Sequence, residues 1–155
     1  AACNGQPVAI AKTRKDSWQA APCSGSLTVI PLVYAHDMSV RTAYLDAQRG
    51  YFNGAAVFMV PVGREAAPCI VDIQATADMH GWQVATTLPL AGASAGGFGT
   101  YRAEDYDERS DHPVENGVLA PATFTAGGEP HALAIAGSQH GRLPKFARDP
   151  PTACG

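Results

Sequence analysis

Charge is scarce in this chain. Asp, Glu, Lys and Arg make up 16% of the 155 residues and leave a net charge of −3. That balance provides no basic footprint for nucleic acid, and it lacks the high charge and low apolar content of a disordered segment. No run of about 18 apolar residues occurs, so no helix is expected to cross a membrane. The opening AACNGQPVAI has no basic stretch leading into an apolar one, so no signal peptide is expected there; a trimmed or mature product would read the same way. The four cysteines, at 3, 23, 69 and 154, form no C-x-x-C pair, which argues against a zinc ribbon or a thioredoxin-like site. None of the five histidines is followed by glutamate, so the zinc-peptidase helix H-E-x-x-H is missing as well.

What is present in quantity is apolar surface, glycine and proline: 46% hydrophobic residues, 16 Gly and 12 Pro. At this length the chain can bury one core, and many turns with little charge predict one all-β domain over residues 1–155. The alternation at Cys69–Gln74 puts Cys69, Val71 and Ile73 on one face and Asp72 and Gln74 on the other. Trp82, Val84, Thr86 and Leu88 share a face in the same manner. Ser26–Ala35 is rich in β-branched and aromatic residues and predicts a strand, with Pro31 placing it at an edge or bulge. Ala55–Val62 is an apolar run of strand length after an Asn53-Gly54 turn signal. Further strands are expected near Ala122–Ala126 and His131–Ala136. Together these predict six to eight antiparallel strands in two layers, a β-sandwich or saddle, with helix confined to short pieces. If all four cysteines pair, three connectivities are open; the plainer expectation for Cys69 is a small buried hydrophobe.

The stretch Gly97–Gly117 holds six of the 14 acidic residues. It reads as one long connection across an end of the β structure, the kind of segment on which binding groups concentrate. Within it, Ala103–Asp111 is expected to form two helical turns, with Glu104, Asp105, Asp107 and Glu108 at the positive end and Pro113 after the stop.

Several constellations suggest chemistry. Gly92-Ala93-Ser94-Ala95-Gly96 matches the G-x-S-x-G nucleophile elbow, and Asp105, Asp111, His112 and His131 follow in hydrolase order. The elbow requires a helix directly after the serine, whereas Gly96, Gly97 and Gly99 stand there, each costing a helix about 1 kcal/mol relative to alanine. His112 and Glu115 are three apart, but Pro113 denies them a common helical face. His36-Asp37 reads as a strand-end hydrogen-bonding pair. By chemistry alone the chain presents no convincing active site.

The succession YAHDMSVRTAYLD, GYFNGAAVFM, GWQVATTLP, YRAEDYDERSDHPVENG and GGEPHALAIAG resembles the amino-terminal domain of the glycyl aminopeptidase family, over about Lys12–Gly137. Members of that family are zinc metallopeptidases with a thermolysin-like catalytic domain, often followed by a PDZ domain. One departure stands out: Arg109 and Ser110 occupy positions that usually carry aliphatic residues before D-x-P-V-E. The resemblance implies a saddle-like domain covering one side of a substrate cleft. Zinc, its ligands and the general base would belong to a catalytic domain of the same polypeptide, acting on peptides with a small first residue (Gly or Ala). It also implies a fragment lacking upstream strands and the downstream catalytic domain, non-catalytic alone, with an open strand edge available for self-association. An aminopeptidase must hold a free α-ammonium, which carboxylates do best. In the related aminopeptidase N enzymes a residue of the equivalent β domain assists. The acidic stretch therefore nominates Glu115, with Asp111 as an alternative carboxylate and Tyr106 as a wall of the first subsite. The competing expectation is a free-standing β-sandwich binding module that uses the acidic loop.

Overall fold

The computed structural model describes residues 1–137, so Cys154 and the tail after Gly137 lie outside the described residues. The chain divides into two compact units, Ala1–Val33 and Tyr34 onward.

In the first unit, β1 (Ala2–Cys3) and β2 (Gln6–Pro7) form a hairpin, and β5 (Leu27–Thr28) pairs with the other edge of β1. The turn between β1 and β2 is Asn4-Gly5, both at positive φ, the conformation that suits a two-residue hairpin loop. Asn4 Oδ1 also accepts from the Ser26 amide at 3.0 Å. A second hairpin joins β3 (Ile10–Lys12) to β4 (Trp18–Ala20), with Lys12 Nζ 5.3 Å from the Trp18 ring centroid. No residue of this unit is buried. Its covalent tie is a disulfide between Cys3 and Cys23. Cys69 is a half-buried free thiol.

The second unit carries the core. It begins with β6 (Ala43–Leu45), β7 (Arg49–Phe52), helix α1 (Gly54–Val57), β8 (Cys69–Ile73) and β9 (Gln83–Ala85). After these come β10 (Gly99–Ala103), helix α2 (Tyr106–Asp111), β11 (Val114–Gly117), β12 (Leu119–Ala126) and β13 (Glu129–Ala136). A four-stranded antiparallel sheet has the order β6-β7-β11-β9, and β8 pairs with β10 in a second layer. One apolar cluster joins the layers: Val71 and Ile73 of β8, Val84 of β9, Tyr101 and Ala103 of β10, Val114 of β11, and Leu88. The alternation expected at Cys69–Gln74 and Trp82–Leu88 is the one observed, with Val71, Ile73, Val84 and Leu88 buried. Tyr101 is almost fully buried and resolves its one polar atom by donating to Gly97 O at 2.5 Å. The fold is all-β, as expected; among the described residues there are two short helices and thirteen strands, the strands more numerous and shorter than predicted.

Three expectations are corrected. Gly97–Gly117 is not one long connection: its ends are strands β10 and β11, and only α2 with its flanks bridges them. The predicted strand Ser26–Ala35 shrinks to Leu27–Thr28, since Ile30, Leu32 and Tyr34 stand exposed with no ladder partner. Residues 55–62 do not form a strand. Asn53 caps α1 instead, its Oδ1 accepting from the Ala55 amide at 3.0 Å, so the Asn-Gly pair opens a helical turn rather than a hairpin.

Backbone closeness explains why α1 sits there. A Cβ on Gly54 would lie 2.6 Å from Arg109 O and 2.8 Å from Ser110 Cα, so the two helices meet main chain to main chain. Ser110 is buried in that contact, which accounts for a small residue where an aliphatic one was expected. Arg109 lies between two rings, its Cζ 4.8 Å from the Phe58 centroid and 5.0 Å from that of Tyr106. It also donates to Met59 O at 3.1 Å.

The clash at Gly54 predicts that Gly54→Ala destabilises the chain by roughly 1–3 kcal/mol, measurable as a lowered Tm. Unchanged melting would show that the helices separate freely. The Cys3–Cys23 bond predicts a cross-linked peptide in a non-reducing digest and, for a loop of 20 residues, a loss of about 3 kcal/mol on reduction.

Candidate functional site

Acidic residues near α2 were the sequence's nominees, and the structure gives most of them local work. Asp105 is the N-cap of α2, accepting from the Glu108 amide at 2.8 Å, and Glu108 in turn accepts from the Glu104 amide at 2.5 Å. The Asp105 cap satisfies one of the free amides at the start of α2, and the Glu108 carboxylate ties down the chain entering the helix at Glu104. Asp107 and Glu108 lie in the first turn, where the helix dipole favours them.

The three nominated site residues occupy different settings. Asp111 ends α2 and is exposed. Tyr106 opens α2, stacks with Arg109, and borders a shallow cavity of about 210 Å³ with Arg64, Pro61 and Cys69. Glu115 lies on β11 between Tyr51 of β7 and Ala85 of β9. No hydrogen bond or ion pair links Glu115 to either of the others.

Glu115 is the most unusual of them. Its side chain is 20% exposed and its Oε1 lies 3.4 Å from Arg49 Nε. Both of these atoms are buried and neither completes a hydrogen bond. Burial pushes the Glu115 carboxyl above the usual range, and the Arg49 guanidinium only partly offsets this. The charged form is thus under-compensated. Neighbouring Tyr51 is also raised, first by burial and then by the Glu115 charge, while its hydroxyl donates to Val40 O at 2.6 Å. Arg49 is held from the other side by Tyr44, whose ring centroid is 5.6 Å from its Cζ. The Arg49 backbone is fixed by the Asp46 carboxylate, which accepts from the Gln48 and Arg49 amides. Sequence reasoning named Glu115 but missed Arg49 and Tyr51, because cross-strand partners 66 and 64 positions away carry no local signal.

The serine-hydrolase constellation is not assembled. Ser94 sits in a turn closed by the Gly97 amide donating to Ser94 O, and no helix follows it. His112 Nδ1 meets the Thr87 hydroxyl, Asp105 caps α2, and His131 stacks on Phe124. His36 bridges to Tyr44, and Asp37 caps a local turn by accepting from the Ser39 amide. Among the described residues no group of three or more His, Cys, Asp or Glu side chains could hold a metal ion.

Comparison with known proteins then fixes the family. The family model described as the peptidase M61 N-terminal domain matches residues 1–118. The chain belongs to that family. A solved structure, an aminopeptidase N family protein from Idiomarina loihiensis, superposes with a TM-score of 0.85 at 29% identity. The alignment covers 96% of this chain and 25% of that one. No curated protein gives a match. The resemblance drawn from the sequence blocks is therefore correct: this M61 domain is the amino-terminal domain of a peptidase family, and it spans a quarter of the length of its solved neighbour.

Burial makes Glu115 a pH-dependent liability. A carboxyl raised in the folded state contributes stability below its unfolded value and loses it as pH rises through the folded value. Glu115→Gln imitates the protonated form, so its Tm relative to the parent is expected to improve between pH 4 and pH 7.5. A difference that does not change with pH would show that Arg49 compensates the charge fully.

Proposed function

We propose that this M61 domain is the non-catalytic amino-terminal part of a zinc aminopeptidase. It forms one wall of a cleft that receives peptides beginning with a small residue, Gly or Ala. The observation carrying this reading is the pair of matches: a peptidase amino-terminal family over residues 1–118, and a neighbour from the aminopeptidase N family of which this chain covers 25%. The described residues offer no ligand set that fits zinc, so in this proposal the metal, its ligands and the hydrolytic step belong to a catalytic domain elsewhere in the same polypeptide.

Within that reading Glu115 faces the α-ammonium of the substrate. Its support is electrostatic. A half-buried carboxylate whose arginine neighbour stands 3.4 Å away without hydrogen-bond geometry still gains from a second cation. Tyr106 is proposed as a wall of the first subsite and the exposed Asp111 as a second carboxylate. The free-standing binding module loses its main argument, because the acidic stretch caps a helix instead of presenting an open loop.

The test uses the full-length enzyme. Glu115→Gln is expected to lower kcat/KM on unblocked Gly- and Ala-initial peptides while zinc content stays unchanged. A lost charge-assisted contact costs roughly 1.5–3 kcal/mol, about a 10- to 150-fold fall. Equal loss on amino-blocked peptides would point to a structural role, and an unchanged kcat/KM would remove Glu115 from the substrate site.

A further inference from the structure

Among the described residues, the hairpin of β12 and β13 is the one long element that the core does not use. It pairs eight residues on each strand, from Leu119↔Ala136 to Ala126↔Glu129, yet no residue of either strand is buried. The core cluster includes none of them. The match to the M61 N-terminal family stops at residue 118, immediately before β12 begins. A lone two-stranded hairpin is marginal in water and needs further strands or a packed face.

Its faces are sorted as if for such a partner. Ala120, Ala122 and Phe124 pair with Ile135, Leu133 and His131, so these side chains share one face, and the apolar ones among them are half-buried. The opposite face carries Pro121, Thr123 and Thr125 and is exposed. Gly127 and Gly128, both at positive φ, close a two-residue loop. In such a hairpin the closing pair, Ala126↔Glu129, exchanges both hydrogen bonds, and every second rung thereafter points its amides outward. Outward rungs are then Thr125↔Pro130, Thr123↔Ala132, Pro121↔Ala134 and Leu119↔Ala136. Both prolines fall on outward positions, where a missing N–H does not harm the ladder.

The two edges therefore differ. The outer edge of β12 is interrupted by Pro121 in its middle. Along β13, beyond Pro130 at its start, the outward amides belong to Ala132, Ala134 and Ala136, whose small side chains leave the backbone accessible. None of these three amides reaches a backbone acceptor outside the hairpin among the described residues.

We infer that β12 and β13 are the first strands of a sheet completed by the rest of the polypeptide, which adds a strand along the outer edge of β13 and covers the Ala122/Phe124/Leu133/Ile135 face. The occupant is a strand-bearing downstream domain of the same chain, since the solved neighbour is a chain of which this one covers 25%. This rests on the reading that the chain is part of a larger peptidase, but not on the chemistry of that peptidase. Attachment by strand addition would make the junction a shared sheet, with main-chain hydrogen bonds supplying affinity and the alanines permitting close approach.

Hydrogen exchange tests it. Amide rates of Ala132, Ala134 and Ala136 are compared between the 155-residue chain and the full-length polypeptide, with Val71 and Tyr101 as internal references. The expected result is protection of the three alanines greater by on the order of 100-fold in the full-length protein, with the references equal in both. Equal rates overturn the proposal, as does protection confined to Leu119, Thr123 and Thr125. Concentration-dependent protection in the 155-residue chain alone would assign the edge to a second copy and equally overturn it. Ala134→Pro removes one outward donor and leaves the hairpin's own rungs intact. It should lower the Tm of the full-length protein and not that of the 155-residue chain; the same change in both would count against the proposal. Peptidase activity is measured on the same full-length sample. Protection without activity would defeat the functional reading and leave the shared sheet standing.

Discussion

The apolar contact between the β8–β10 pair and strands β9 and β11 of the four-stranded sheet is what the second unit depends on. Val114 and Ala103 are completely removed from solvent, and Tyr101 nearly so. All three flank the acidic helix in sequence: β10 leads into α2 and β11 leads out of it. Burying the two ends fixes the helix between them. The same constraint fixes Glu115, because Val114 and Asn116 are buried on one face of β11 and strand alternation turns Glu115 to the other. A carboxylate therefore reaches its half-desolvated position beside Arg49 as a by-product of core packing.

Segments whose own pattern matched their final environment were legible in the sequence. The alternation at Cys69–Ile73 survives because one face of β8 meets the core and the other meets solvent. The acidic start of α2 survives because its cap is made by residues three and four apart. The failures are all tertiary. Residues 55–62 are apolar enough for a strand, but the Asn53 cap and the approach of Gly54 to Ser110 select a helical turn. Ile30–Tyr34 has strand composition and no neighbour to ladder with, so composition alone misleads. The Cys3–Cys23 pairing was one of several open choices, decided only by where the first two hairpins place their ends. The candidate site was half legible: Glu115 could be nominated from local acidity and Pro113, while Arg49 and Tyr51 arrive through strand pairing across the sheet.

Family membership and site chemistry rest on different features of the chain. The M61 match rests on a pattern spread over residues 1–118 and on a shared fold. Function, by contrast, is carried by particular side chains, and folds host many functions. What the domain itself contributes is geometric: a sheet with a desolvated acid on its outward face, and a helix whose arginine is clamped between Phe58 and Tyr106.

The disulfide carries a consequence for local opening. Residues Ala1–Val33 contain no buried side chain, so little besides the Cys3–Cys23 bond and short ladders opposes their unfolding. A segment of that kind registers the redox state of its surroundings. Forming the bond closes the segment, and reducing it removes its one covalent tie among the described residues. Loss of that one bond is therefore expected to loosen these thirty-three residues while the Val71–Tyr101 core of the second unit stays closed.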